Sequence, residues 1–171
     1  MPFPSDAQAH RPGRLAPAFG LLLALLTAAA PARAAAPSTF GSVIGNAVLC
    51  LDHLDNAYFY SYLSASFGPP YKRQGGAYWF TTDEATLWGE AVKEVIVSDD
   101  THALTFIGAV VDATPEKLEQ AIVTGAGLHY NRKDRSNFPV RESNPGSKIV
   151  YFGDQSKVFC AKYKPLPRDI P

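Results

Sequence analysis

The chain has 171 residues, with 16 Lys and Arg against 16 Asp and Glu and only two cysteines. That even balance excludes a nucleic-acid binder, which would present a basic face or domain. The length suits a single domain with a sizeable core. Charge is uneven along the chain: residues 35–120 hold 4 Lys and Arg against 11 Asp and Glu, and residues 121–171 hold 9 against 4. Two readings follow: a dipolar surface for a partner, or opposite charges that meet across the fold.

The N-terminus reads as a cleaved secretory segment over residues 1–34. Arg11 and Arg14 precede an apolar run of 13 residues, Ala18 to Ala30. That run is shorter than the ~20 residues a membrane-spanning helix needs. Ala32 and Ala34 fit the small-residue cleavage rule and place the cut between Ala34 and Ala35. No cysteine follows the run, against a lipid anchor, and no Arg-Arg pair precedes it, against twin-arginine export. The processed chain is expected in the periplasm or outside the cell, with no stable membrane insertion. In such an oxidising compartment Cys50 and Cys160 are expected to pair, since only one intramolecular bridge is possible.

Residues 35–42 read as a mobile leader, and "AVLCL" fits helix or strand. Leu51, Leu54, Tyr58, Tyr62 and Ala65 recur at helical spacing, which predicts a helix over 52–67. Asp52 or Asp55 would cap it, and Gly68-Pro69-Pro70 would stop it. "YKRQGG" reads as a loop, "AYWFT" (77–81) as a strand, and 87–98 as a long strand. A bulge near Lys93-Glu94 would repair its imperfect alternation. Residues 103–112 form a strand apolar on both faces. Thr114, Pro115 and Glu116 begin a second helix, which Gly125 and Gly127 end. "LHYNRK" reads as a strand, 134–147 as a polar loop, and "KIVYFG" with "SKVFCAKY" as a final hairpin. Residues 164–171 are a proline-rich tail.

The expected fold is a two-layer α+β domain over 35–163. About six antiparallel strands pack against two helices in the order α-βββ-α-βββ. "PPYKRQGG" and "LHYNRKDR" fall at like positions after the two helices and hint at duplication, though the likeness is short.

No G-x-S-x-G, H-E-x-x-H, phosphate loop or C-x-x-C occurs, so neither catalysis nor a cofactor or metal is expected. His53 lies between Asp52 and Asp55, but helix neighbours diverge by about 100°. His102 closes a polar turn. His129, with Asp112 or Glu94, is the candidate for a rival hydrolase or isomerase. Arg132, Lys133 and Arg135, joined by Arg141 and Lys148, are the candidate positive surface.

The aromatic candidates are Tyr78, Trp79 and Trp88. Strand alternation puts Tyr78 and Phe80 on one side and Trp79 on the other. Pairing of 77–81 with the next strand around "TTDEA" would let Trp79 and Trp88 share one face, either in the core or as an exposed platform; whether they do is left open by the sequence. The function expected is an exported binding protein that contacts an envelope protein, a peptide or a glycan. An inhibitor of a foreign hydrolase belongs to this class. A structural envelope protein is the third reading, which would show a large apolar patch and oligomerise.

Overall fold

A computed structural model describes residues 35–164. The N-terminal targeting segment expected at 1–34 and the tail beyond Lys164 lie outside the described residues. Within them the fold is α+β: an open antiparallel sheet of nine strands with three helices. The strands are β1 (Lys72–Gln74), β2 (Ala77–Thr81), β3 (Thr86–Leu87), β4 (Glu90–Ser98), β5 (Leu104–Val111), β6 (Tyr130–Arg132), β7 (Arg141–Ser143), β8 (Lys148–Phe152) and β9 (Gln155–Tyr163). The helices are α1 (Phe40–Val48), α2 (Asn56–Phe67) and α3 (Pro115–Ala126).

The count of six strands and two helices is therefore corrected. The leader expected at 35–42 gives way at Phe40 to α1. Its Phe40, Ile44, Ala47 and Val48 are buried. Full burial of each large side chain is worth ~1.5–3 kcal/mol, which outweighs a weak N-terminus with no side-chain cap. The helix expected from residue 52 starts at Asn56. Asp55, not Asp52, is its cap and accepts a hydrogen bond from Tyr58 N at 3.0 Å. The "YKRQGG" loop holds β1, and the 134–147 loop holds β7. The strand expected at 87–98 is broken at Trp88-Gly89 into β3 and β4. The expected bulge is present: the β4–β5 register shifts between Val92 and Glu94. α3 starts as its sequence indicates, with the Thr114 hydroxyl accepting from Lys117 N; Gly127 closes it at φ 66°, while Gly125, expected to help end it, lies inside it.

The sheet order is β1-β2-β4-β5-β9-β8-β7-β6, with β3 paired only to β4. α2 leads into β1, β2, β4 and β5, and α3 leads into β6, β7, β8 and β9. The two meanders meet at the long β5–β9 pair, where eight residues are in register from Leu104↔Tyr163 to Val111↔Ser156. "YKRQGG" and "LHYNRK" thus supply β1 and β6 at opposite edges of the sheet.

One face of the sheet packs against the helices. Phe80, Val95, Val97, Ile107, Ala109, Val111, Ile149 and Val158 join Ile44, Phe59, Leu63, Leu118 and Ile122 in one core. The other face has a small separate cluster, Ala77, Ile96 and Val110, flanked by Trp79 and Phe106. No residue of α1, α2 or α3 belongs to that cluster.

Three polar ties hold the helices down. Cys50, just past α1, bonds to the fully buried Cys160 of β9, with Cα atoms 5.2 Å apart. The Ser147 hydroxyl, before β8, donates to the Val48 carbonyl at 2.7 Å. Arg141 of β7, 1 % exposed, donates to Glu116 and to Glu119 of α3, the latter at 2.9 Å. Burying that guanidinium is tolerable because both carboxylates and the Pro139 carbonyl meet it.

The turn from β4 to β5 is organised by Asp99, which is 3 % exposed. One carboxylate oxygen accepts from Thr101 N at 2.9 Å and Thr101 Oγ1 at 2.6 Å. The other accepts from Arg73 Nε at 2.7 Å. The Thr101 hydroxyl and then the Arg73 guanidinium hold the Asp99 carboxyl at about 2, below the usual carboxylate range.

Two outcomes are expected. The disulfide closes a chain separation of 110 residues, and constraint of the unfolded chain on that scale is worth about 4–5 kcal/mol. Unfolding in urea with and without reductant is therefore expected to differ by several kcal/mol, with free thiol appearing only after reduction. Asp99 has a folded pKa below its unfolded value, so its contribution is fully present above about pH 4. It is lost as pH falls through about 2. The stability gap between wild type and Asp99→Asn, measured by chemical denaturation, is expected to close over that interval.

Candidate functional site

The face of the sheet that no described helix covers, the uncovered face among the described residues, is built by strand alternation. Cross-strand register runs Lys72↔Trp79↔Ile96↔Gly108↔Phe159↔Lys148, a single row over six strands with a lysine at each end. Gly108 sits in the middle of the row. A Cβ there would stand 3.1 Å from Phe159 Cβ and 3.4 Å from the Val158 carbonyl. Glycine at this position leaves a trough between Ile96 and Phe159. The trough opens into a groove of about 670 Å³, floored by Trp79, Ile96, Leu104, Phe106, Val150 and Phe159.

Polar groups lie at the groove's margins. At one end His102 meets Phe106 edge to face at 5.0 Å, and its Nδ1 accepts from Leu104 N. Lys157, beside Val150 in the β8–β9 register, lines the groove as well. Its ammonium stands 4.3 Å from the Phe152 ring centre and 5.3 Å from that of Trp79. The Lys72 ammonium stands 3.9 Å from the same Trp79 ring. Burial pulls the Lys157 ammonium below the usual lysine range; Glu94 opposes this and Lys72 reinforces it. Glu94 is itself bonded by the Tyr71 hydroxyl. Burial, then the bond and charge of Glu94, push that hydroxyl up to about 12.

Trp88 does not join Trp79. It packs against the helix-side core, while Trp79 flanks the cluster on the opposite face. The question left open by the sequence is thereby answered: the two tryptophans lie on opposite faces. The reason is a two-residue turn: Leu87 pairs with Glu90, and Trp88 and Gly89 between them have φ of 51° and 86°. That is the positive-φ turn that normally takes Asn-Gly. A bulky residue there is strained by about 1–3 kcal/mol. The indole is accommodated because two helices offer it glycines: Gly125 of α3 and Gly45 of α1. Tyr78 also lies on the helix side, edge to face with Tyr60 of α2 at 4.8 Å.

The basic candidates are dispersed. Arg132 and Arg135 are exposed, and Lys133 pairs with Glu142 at 3.2 Å. Residues 132–136 line a shallow depression of about 440 Å³. Arg141 is not part of that surface, because its guanidinium is buried on Glu116 and Glu119. Lys148 points to the uncovered face of the sheet, as its register opposite Phe159 requires. Charge from the basic part of the chain thus meets the acidic part at Arg141.

His129 is exposed beyond α3. Its expected partners are engaged elsewhere, Asp112 by Lys93 at 3.0 Å and Glu94 by Tyr71. His53 is exposed, and its backbone N donates to the Asp52 carboxylate. Among the described residues, no three His, Cys, Asp or Glu side chains converge where a metal ion would sit. The residues that sequence reasoning missed are Lys72, Phe106, Gly108, Lys157 and Phe159. Only the two-sided apolarity of 103–112 pointed toward them. No protein family, no curated protein and no solved structure matches this chain.

The Trp88 packing makes a prediction whose sign is unusual. Alanine in a helix is ordinarily ~1 kcal/mol better than glycine. At Gly125 the added Cβ would stand 2.9 Å from Trp88 Cδ1 and 3.4 Å from its Cβ. Gly125→Ala is expected to destabilise the protein by about 1–2 kcal/mol and to alter the tryptophan near-ultraviolet dichroism. Gly41→Ala in α1, where a Cβ would meet nothing within 4 Å, is expected to be neutral or stabilising.

Proposed function

We propose that this chain is an exported binding protein whose ligand seat is the uncovered face of its sheet, centred on Trp79. The observation that supports this reading is the groove of about 670 Å³ along Trp79, Ile96, Phe106 and Phe159. Its size falls within the range of small-ligand sites, and its floor is apolar with few polar groups at the margins, as such sites usually are. On this reading the fold is two layers, helices and sheet, and the ligand takes the place of a third. The Cys50–Cys160 bond is compatible with an oxidising compartment, which agrees with an exported chain. The polar lining needed for glycan recognition is sparse in this groove, so an apolar ligand is favoured over a sugar.

A neutral naphthylamine probe, fluorescent only when out of water, tests this. It is expected to bind saturably at one site per chain and to alter tryptophan emission. Trp79→Ala is expected to weaken it at least about tenfold, or ~1.4 kcal/mol, while circular dichroism and the disulfide stay intact. Gly108→Val, which fills the trough, is expected to have the same effect. Absence of saturable binding to the wild-type protein would overturn the reading.

A further inference from the structure

We infer that the groove's ligand is a single-chain carboxylate, a long apolar tail ending in one anionic head, with Lys72 and Lys157 as the seat of the head. The inference rests on the binding reading above and adds the charge and shape of what is bound.

The charge follows from the groups on this face. Lys72 and Lys157 both place an ammonium against the Trp79 ring, and Lys157 lies within reach of the Lys72 charge. Glu94, which shares a register row with Lys157 and acts on its ammonium more strongly than Lys72 does, accepts from the Tyr71 hydroxyl and offsets one of the two positive charges, so that one remains. Two like charges beside one low-dielectric surface repel, and a single anion between them balances the charge that Glu94 leaves. Exposed lysine pairs are worth little, because water competes for the ammonium. Lys157 differs, since it is half-buried with its ammonium against Phe152 and Trp79. A carboxylate that reaches it forms a charge-assisted bond in a partly dry place.

The shape follows from the row. The groove is lined from Trp79 on β2 to Val150 on β8, across β4, β5 and β9. Four inter-strand spacings of that kind cover roughly 19 Å. An extended chain lies along such a trough and a compact ring does not. Between Trp79 and Val150 the floor is Ile96, Gly108 and Phe159, and among the described residues Lys157 of β9 is the one hydrogen-bonding side chain along it. The two lysines complete it, with the Lys72 ammonium over the Trp79 ring and the Lys157 ammonium over Phe152 and near Trp79.

The test is displacement of the neutral naphthylamine probe by three surfactants of equal tail length, each below its micelle concentration: dodecanoate, dodecanol and dodecyltrimethylammonium. Dodecanoate is expected to displace the probe at a concentration at least about tenfold lower than the other two. Lys72→Gln with Lys157→Gln is expected to bring the ratio of dodecanoate to dodecanol displacement to about one, a ratio that a change in probe affinity common to all three surfactants does not move. If the probe binds and the three surfactants compete equally, the charge assignment fails and the binding reading stands. If the wild-type chain binds no probe, both fail. Two other outcomes overturn the proposal. One is preferential binding to phosphatidylglycerol vesicles over phosphatidylcholine vesicles with no dodecanoate displacement, which would make the face a membrane contact. The other is a concentration-dependent dimer that excludes the probe, which would make it a self-interface.

Discussion

β5 is apolar on both of its faces, and the described helices cover only one. Ile107, Ala109 and Val111 are fully buried in the helix-side core. Leu104, Phe106, Gly108 and Val110 alternate with them toward the other side. β5 also lies where the two meanders join, so its uncovered residues sit near the middle of the sheet. An apolar strip in that position has to be covered by side chains of its own layer or by something from outside. Trp79, Phe106 and Phe159 cover part of it, and Lys157 lines it as well, with its ammonium and that of Lys72 over the Trp79 ring. The groove is the remainder.

The helices are confined to one face by covalent and polar ties rather than by their own propensities. α1 is a weak helix by sequence: "FGSVIGNAV" has two glycines and two valines, residues that cost helix stability. Its burial, the Cys50–Cys160 bond and the Ser147 hydroxyl on the Val48 carbonyl fix it against the central strands. Trp88 extends that attachment to α3 by lying against glycines on both helices. Arg141 then fixes α3 from the far side through Glu116 and Glu119.

This division explains what was legible in the sequence. α3 could be read because its cap, its proline and its terminal glycine are local, and each acts within one turn of chain. β2 and the β4 bulge could be read from alternation alone. α1 could not, since its helicity is a tertiary effect. Nor could β1 and β7, which are three residues long and are strands only because they are paired. For the site, Trp79 was legible as an aromatic on its own side of β2. Lys157 and Phe159 were not, because their nearness to Trp79 depends on β9 returning beside β5, far away in sequence. Trp88 misled for a related reason: a tryptophan at positive φ is rare enough that strand continuity was the natural expectation.

An open sheet with an exposed apolar face invites association with other sheets, and its edges decide whether it can remain single. Here both edges are short and basic. β1 is Lys72-Arg73-Gln74, and β6 ends at Arg132, with Lys133 next. Three-residue edges leave few backbone groups for another chain to pair with, and their like charges oppose two edges meeting. Arg73 is further held by Asp99, which keeps the end of β1 attached to the β4–β5 turn. The edges therefore discourage growth of the sheet in its own plane while its face stays open. A protein that left both the edge and the face apolar would aggregate. One that covered both would have no place for a ligand on the sheet. Charge on both edges, with an apolar face between them, opposes growth of the sheet in its own plane while that face stays open.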